Sequence, residues 1–387
     1  MSINKMVSDV FMEIADAIEK GSFGKRRRIG LTMLGSEHGI DNLINGAILA
    51  KKQNPDMDIV LIGPDNNSGF ETLIATTEAE MHKVMEHALD TGAIHAAVTM
   101  HYNFPIGVST VGRVIAPSTG KEVFIATTTG TSAVNRVEAM VKNAVFGIVA
   151  AKSCGIDKPS VGILNVDGAR TVEKILTQLK SKGFDISFGT SKRSDGGIVL
   201  RGNDLLQGAV DVVVTDTLTG NILMKMFSAF TSGGSYESTG YGYGPGIGEG
   251  YKRNILILSR ASGVPVVAGA LKYADDLARN GVNQISDQIF DALNHIQWKQ
   301  LIDESLDKPC ETTTVAMPDK VVVTGTIAGV DIMELEDAVK ALWRHGIYAE
   351  SGMGCTGPIL LVPENRLNEC VTLLNQAGFS GSGGDIC

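Results

Sequence analysis

Along most of the chain, short apolar runs alternate with segments whose apolar residues recur every three or four positions. Val10, Phe11, Ile14 and Ile18 have helical spacing and predict an amphipathic helix over 7–20. Apolar runs at 29–34, 58–62, 93–100, 123–126, 161–164, 211–215, 254–258 and 265–268 predict strands. Helical patterns follow several of them, to about 52, 182 and 231. The longest carries Val134, Val137, Val141, Val145, Ile148 and Val149 and stops near Gly155. Runs this short, separated by helices, predict an α/β fold built on a mainly parallel sheet covered on both faces.

The pattern changes towards the C-terminus. Ile285, Ile289, Leu293 and Ile296 predict a helix running towards Lys308-Pro309. Beyond it the order is strand 321–327, helix 333–345, strands 347–349 and 359–362, and a helix bearing Leu367, Cys370, Val371 and Leu374. That β-α-β-β-α order predicts a small α+β, ferredoxin-like module. The expected organisation is an α/β body over 1–281, a linker helix over 282–312 and a module over 313–387 that carries Cys355. The tail 380–387 is expected to fray. The glycine-dense stretch 232–250 is expected to be a long mobile loop.

Composition narrows the function. Lys plus Arg is 34 and Asp plus Glu 43, for a net charge of −9. This disfavours nucleic acid and anionic lipid as partners. Gly is abundant at 45 of 387 residues and aromatics are 5%, which argues against stacking of bases or sugars. Five cysteines with no C-x-x-C pair fit a reducing cytoplasm. Asp9, Glu13 and Asp16 interrupt the first twenty residues, which read as neither a signal nor a transit peptide. No apolar run approaches the ~18 residues of a membrane span. The basic cluster Lys25–Arg28 reads as a solvated strand start.

In open α/β sheets, ligands bind where a strand ends and the next helix begins. The stretch 127–132 is expected to open a helix. There Gly130 would admit a ligand to unpaired N–H groups, with hydroxyls from Thr129, Thr131 and Ser132; capping alone is the competing reading. Asp216 can cap, or hold a substrate hydroxyl, and Thr219, Gly220 and Asn221 could bind an acyl-phosphate oxygen. Asn165, Asp167 and Gly168 repeat the theme. The glycines at 244–250 imitate a dinucleotide fingerprint but neither follow a predicted strand nor open a helix. His82 and His87 have no cysteine near them, and no metal site is expected. His38, beside Glu37, reads as a base or as a solvated loop histidine.

Among the cysteines, Cys370 and Cys154 read as structural, Cys310 lies in a linker and Cys387 is terminal. Cys355 is flanked by Gly352, Gly354 and Gly357. Backbone N–H groups in such a turn can stabilise a thiolate and receive an oxyanion. An incidental cysteine in a glycine hairpin is the alternative. Glu350 and His345 are nearby groups that could approach it.

The stretches GILNVDGART (162–171) and DVVVTDTLTGNILMK (211–225) resemble the PlsX-type phosphate acyltransferases, relatives in fold of the phosphotransacetylases. With its GYGYGPGIGEG and GMGCTGP segments, the chain over 1–380 resembles more closely one group of that family, the component C alpha subunits of glycine/sarcosine/betaine reductase complexes of anaerobic amino-acid fermenters. That resemblance implies a PlsX/phosphotransacetylase-type sheet and a cytoplasmic hetero-oligomer with a beta subunit, selenoprotein component A and component B. It implies that the two-carbon unit of a carboxymethyl-selenocysteine becomes an acetyl thioester, which inorganic phosphate releases as acetyl phosphate. No cofactor is implied. It places the active-site cysteine on Cys355, with Gly354, Thr356 and Gly357 as the oxyanion loop. Gly130, Thr131, Ser132, Thr219, Gly220 and Asn221 are the candidates for phosphate. The module is expected to carry Cys355 to the crevice of the body, with 232–250 shielding the thioester. The competing expectations are a stand-alone phosphate acyltransferase of phospholipid synthesis, with no need of Cys355, and a non-catalytic scaffold subunit.

Overall fold

The computed structural model describes residues 8, 11–12, 14–15, 26–192, 196–306, 315–332, 334–354, 357–379 and 382–383. Of the helix expected over 7–20, the five described residues are helical, and the rest, with Val10 and Ile18, lies outside the described residues.

The body begins with β1 (Arg27–Thr32), α1 (Gly39–Gln53), β2 (Met57–Gly63), β3 (Glu71–Ile74), α2 (Glu78–Asp90), β4 (Ala96–Thr99), β5 (Val108–Ile115), β6 (Glu122–Thr131) and α3 (Arg136–Ser153). It continues with β7 (Ser160–Leu164), α4 (Ala169–Ser181), β8 (Ser187–Phe188), β9 (Val199–Leu200), α5 (Gly202–Gln207), β10 (Val212–Val214) and α6 (Thr217–Ala229). It closes with β11 (Gly244–Ile247), β12 (Ile255–Ile257), α7 (Val264–Arg279), α8 (Val282–His295) and α9 (Trp298–Leu306). The module holds β13 (Gly325–Ala328), α10 (Leu335–Arg344), β14 (Glu350–Gly354), β15 (Gly357–Val362), α11 (Leu367–Gln376) and β16 (Ser382–Gly383).

The main sheet runs β3-β2-β1-β4-β12-β11-β5-β6-β10-β7-β8, with β9 also on β7. β3-β2-β1-β4-β12 is a parallel block, and so is β6-β10-β7 with β8 and β9. Between the blocks every pairing is antiparallel: β12 with β11, β11 with β5, and β5 with β6. Three reversals make the two blocks point in opposite directions. The protein is therefore α/β, with a mainly parallel sheet and a small α+β module. Side chains alternate across the sheet, as the strand period requires. Ile59 and Leu61 join the large core under α1, α3, α4, α7, α8 and α9. Val60 and Ile62 face the small core under α2, and Ile125 and Val213 the one under α6.

Several expectations are corrected. Residues 265–268 are not a strand; they lie in α7, where Pro265 sits in the first turn and needs no N–H partner. The apolar run there continues at helical spacing through Val266, Ala270, Tyr273 and Leu277. Residues 127–131 do not open a helix; they continue β6. β5 escapes notice because Ser109, Thr110, Gly112 and Arg113 interrupt its apolar pattern, although all but its last residue are buried. The stretch 232–250 is not a mobile loop, since it supplies β11 to the middle of the sheet with all four residues buried. Its glycines serve close packing. A Cβ on Gly244, which has a φ of +85°, would lie 1.7 Å from Val111 O, and one on Gly246 would lie 2.3 Å from the Phe104 ring. Among the described residues no helix is long and apolar enough to cross a membrane.

The segment expected as one linker helix is two helices, broken at Gln297. Val282, Phe290, Leu293, Trp298 and Ile302 lie in the large core, with Phe290 edge-on to Phe146 at 6.1 Å. Residues 307–314 lie outside the described residues. The module's sheet is antiparallel in the order β14-β15-β13-β16, the ferredoxin-like arrangement. Ile327, Val339, Leu342, Leu360, Val362, Cys370 and Leu374 form its own core. The tail differs from expectation at 382–383, which pair with β13. Lys174 of α4 donates to Gly378 O at 2.7 Å, tying the module to the body.

Candidate functional site

Each parallel block presents a polar carboxyl end, and the two ends differ in chemistry. At the end of β10, Asp216 caps α6 by accepting from Thr219 N at 3.0 Å and from the Thr219 hydroxyl at 2.7 Å. Arg136 donates to Asp216 at 3.0 Å and lies 3.7 Å from Asp167. Burial pushes the Asp216 carboxyl up, but the Thr219 hydrogen bonds and Arg136 outweigh it, and the net direction is down. The Thr217 hydroxyl donates to Gly130 O at 3.2 Å, and the Asn221 amide to Thr128 O at 3.1 Å.

The candidates Gly130 and Thr219–Asn221 thus meet, but as structural partners. The Thr219 hydroxyl belongs to Asp216 and the Asn221 amide to Thr128. Ser132 is buried, bonded to Ser109 at 2.6 Å and donating to Asn143. Gly220 is a close-approach glycine, because a Cβ there would lie 1.8 Å from Thr127 O. Thr131 is exposed at the end of β6. The helix after it is capped by Asn135, which accepts from Val137 N at 2.9 Å and Glu138 N at 3.1 Å. What remains for an anion is the opening N–H groups of α6 and an Arg136 already facing two carboxylates.

The other end gathers residues from β1, β12 and the segment after α6. Glu37 N donates to Arg260 O at 2.9 Å, and Asn42 to Ser262 O at 3.0 Å. His38 Nε2 is 3.3 Å from Ala261 O, and its ring meets Tyr236 edge-on at 6.1 Å. Glu237 N donates to Ala261 O at 2.9 Å and Gly263 N to Glu237 O at 2.8 Å, holding the segment against the turn 259–263. The Glu237 side chain is only 3% exposed, and the Ser262 hydroxyl donates to it at 3.1 Å. Burial raises its carboxyl above the usual range against the opposing pull of Ser259, Ser262, Lys225 and Tyr243. Burial also drives the Tyr243 phenol up. Lys225 faces the Glu237 carboxyl, whereas no ion pair joins Arg260 to a carboxylate among the described residues, unlike Arg136. This end offers the Arg260 guanidinium, serine hydroxyls and a carboxyl that burial holds towards its protonated form, with Lys225 facing that carboxyl.

Sequence reasoning missed Ser259, Arg260, Ser262 and Glu237. Reading 265–268 as a strand removed the strand-to-helix turn at 259–263, and reading 232–250 as mobile removed Glu237. The available signal was Gly263 followed by Pro265, a helix-start pattern straight after an apolar strand.

In the module, β14 and β15 pair from Glu350↔Leu361 to Gly354↔Gly357. Cys355 and Thr356, between the last paired glycines, lie outside the described residues, together with the nucleophile and oxyanion expectations attached to them. Glu350 is committed to Lys320 at 3.1 Å and to the Tyr348 hydroxyl. In the body, burial pushes the Cys154 thiol up to about 12, so at neutral pH it is a protonated, structural group. Among the described residues no three His, Cys, Asp or Glu side chains are grouped to hold a metal.

The family model described as "Fatty acid synthesis protein" matches residues 27–361. A glycine/sarcosine/betaine reductase complex component C subunit alpha from Peptoclostridium acidaminophilum is 59% identical over 380 residues, 97% of this chain and 99% of its own length. A phosphate acyltransferase of Lysinibacillus sphaericus (strain C3-41) is 26% identical over 236 residues, 51% of this chain and 70% of its own. Among solved structures, a branched-chain phosphotransacylase from Enterococcus faecalis V583 aligns with 65% of this chain and 99% of its own at 17% identity, with a TM-score of 0.47.

Proposed function

This chain belongs to the fatty acid synthesis protein family, and within it to the family of glycine/sarcosine/betaine reductase component C alpha subunits; from that premise we propose that it forms an acetyl thioester on Cys355 and releases acetyl phosphate. The two-carbon unit arrives as the carboxymethyl-selenocysteine of a selenoprotein partner, component A. The carbon–selenium bond breaks, the methylene gains a proton, and one carboxylate oxygen leaves as water as the thioester forms. The two electrons come from the selenoprotein, which is left oxidised. Phosphate oxygen then attacks the acetyl carbon, the carbon–sulfur bond breaks, and the cysteine thiolate is the leaving group. The chain works in the cytoplasm with a beta subunit and component B, and inorganic phosphate enters as substrate with no cofactor.

The 59% identity along nearly the whole chain carries this reading. The phosphate end of the site has two candidate places. Arg260, next to Ser259 and with no ion pair to a carboxylate among the described residues, favours the carboxyl end of β12 over the α6 end, where Arg136 already faces Asp167 and Asp216. An anion gains most from a cation that no carboxylate has neutralised. Glu237, kept towards its protonated form at that end, is placed to exchange a proton through Ser259 or Ser262.

The test uses the purified assembly, incubated with carboxymethylated selenoprotein or with acetyl phosphate, and peptide mass spectrometry. An acetyl adduct on Cys355, absent in Cys355→Ala together with acetyl phosphate formation, supports the proposal. An unlabelled chain in an assembly that still turns over refutes it and leaves a scaffold role. Activity with long-chain acyl-carrier protein, retained in Cys355→Ala, would instead assign a phosphate acyltransferase. Arg260→Gln should raise the KM for phosphate about tenfold and Arg136→Gln should not; the reverse places phosphate at Gly130, Thr131, Ser132 and Thr219–Asn221.

A further inference from the structure

The segment between β1 and α1 presents an imidazole to the turn 259–263. Gly35 and Gly39, at φ of +94° and +78°, bend the chain on either side of it. The Ser36 hydroxyl accepts from His38 N at 3.2 Å, and Glu37 N donates to Arg260 O at 2.9 Å. The backbone that carries His38 is thus tied to Arg260 itself. The His38 ring meets Tyr236 edge-on at 6.1 Å, and its Nε2 lies 3.3 Å from Ala261 O. A carbonyl oxygen only accepts, so Nε2 carries the proton and Nδ1 keeps a lone pair. His38 stands just ahead of α1, yet its side chain makes no cap bond to that helix. It is also exposed, so core packing does not account for it.

We propose that His38 Nδ1 is the base that takes the proton of the attacking phosphate and passes it to the cysteine sulfur, an inference that rests on the phosphorolysis proposed above. Phosphate enters as hydrogen phosphate, with a proton on oxygen, and acetyl phosphate leaves as the dianion without one. As the phosphate oxygen bonds to the acetyl carbon, that proton moves to Nδ1. As the carbon–sulfur bond breaks, its electron pair stays on sulfur, and the imidazolium returns the proton to the thiolate. Nothing is oxidised or reduced. Histidine suits both halves of the transfer, because the neutral ring accepts and the charged ring donates. An anion held by Arg260 and Ser259 lies against the turn to which this ring is hydrogen-bonded. Glu237 suits the opposite task, since burial holds its carboxyl towards the protonated form, which gives a proton rather than takes one. His82 is engaged elsewhere: its Nε2 is 3.5 Å from the Thr99 hydroxyl and its ring meets Tyr102 edge-on at 6.0 Å.

The purified assembly, supplied with carboxymethylated selenoprotein, separates the steps. His38→Ala should form the acetyl adduct on Cys355 at the wild-type rate and then release acetyl phosphate about 100-fold more slowly. Because the position is exposed, millimolar imidazole should enter the space left by the side chain and restore release. His38→Gln, which fills that space with an amide, should be as slow and gain nothing from imidazole. His101→Ala removes an exposed histidine just past β4 and should release at the wild-type rate. Adduct formation followed by normal release from His38→Ala overturns this inference alone. So do a loss that imidazole does not restore, equal rescue of both His38 variants, a His38→Ala protein that forms no adduct where the wild type does, and a loss in His101→Ala instead. A wild type that forms no adduct on Cys355 overturns the underlying reading, and this inference with it.

Discussion

Replacing Gly220 by alanine separates two readings of that residue. Its Cβ would lie 1.8 Å from Thr127 O, 2.9 Å from the Thr127 carbonyl carbon and 3.2 Å from Thr215 Cγ2. The first two are backbone atoms of a buried strand, so no rotamer relieves the contact. A carbon–oxygen contact settles near 3.3 Å, which requires α6 to retreat by about 1.5 Å. That movement stretches the Asn221–Thr128 and Thr217–Gly130 bonds, each worth ~1 kcal/mol, and adds ~1–3 kcal/mol of overpacking strain. Alanine returns ~1 kcal/mol of helix propensity. The expected net loss is about 2–4 kcal/mol, read as a fall in the urea midpoint at constant m-value. Gly202→Ala in α5 is the control, since its Cβ would meet nothing within 4 Å. A Gly220→Ala protein as stable as wild type refutes the close approach of α6 to β6. Unchanged stability with a raised KM for phosphate would restore Gly220 as a phosphate contact.

Three further outcomes follow from the structure. Glu237 has a raised carboxyl pKa, so as pH rises above the ordinary value of 4.5 the unfolded chain loses its proton first and folding stability falls until the folded-state pKa is passed. Glu237→Gln should abolish that decline in urea titrations between pH 4.5 and 8, and parallel curves for the two proteins would contradict the burial argument. Arg113 is buried, donates to Glu122 and to Asp276, and lies 4.3 Å from the Tyr241 ring centroid. Arg113→Leu leaves Asp276 to Lys272 alone and Glu122 to the Tyr241 hydroxyl alone, and should cost about 3 kcal/mol, the low end for a broken buried pair, in thermal or urea unfolding. Trp298→Ala should cost about 3–5 kcal/mol if α9 belongs to the large core, whereas a free linker would tolerate it with no measurable shift.

The sequence was legible wherever a strand is uniformly apolar. Residues 58–62, 161–164 and 211–215 are fully covered parallel strands or overlap them, and their runs of Val, Ile and Leu announce burial on both faces. It was illegible where burial is carried by other chemistry. β5 hides behind Ser109, Thr110 and Arg113, whose polar groups are satisfied by partners across the sheet: Ser132, Thr128 and Glu122. β11 hides because glycine and proline mark turns by default, whereas here Gly244 and Gly246 are small so that neighbours can approach. The start of α7 reads as a strand because four apolar residues cannot distinguish two periods. The same error concealed the turn 259–263. By contrast, the Asp216 cap was readable from a strand followed by an Asx-type start. Placing phosphate on its polar side chains failed as a local inference, since which hydroxyls and amides are already engaged depends on β6, about ninety residues earlier.

The reversal between the two parallel blocks also governs how the chain is made. β4 ends at Thr99, and its second neighbour, β12, begins only at Ile255. Until then the first block carries the backbone of a strand buried along its whole length with one side unpaired. At ~5–20 residues per second, translation leaves that strand open for about 8–30 s after it emerges. An unpaired strand destined for the interior is a template for other chains. Expression yield and chaperone demand should therefore track translation speed through the second block, and silent codon changes between positions 100 and 255 should affect the protein's solubility without altering a single contact in its folded state.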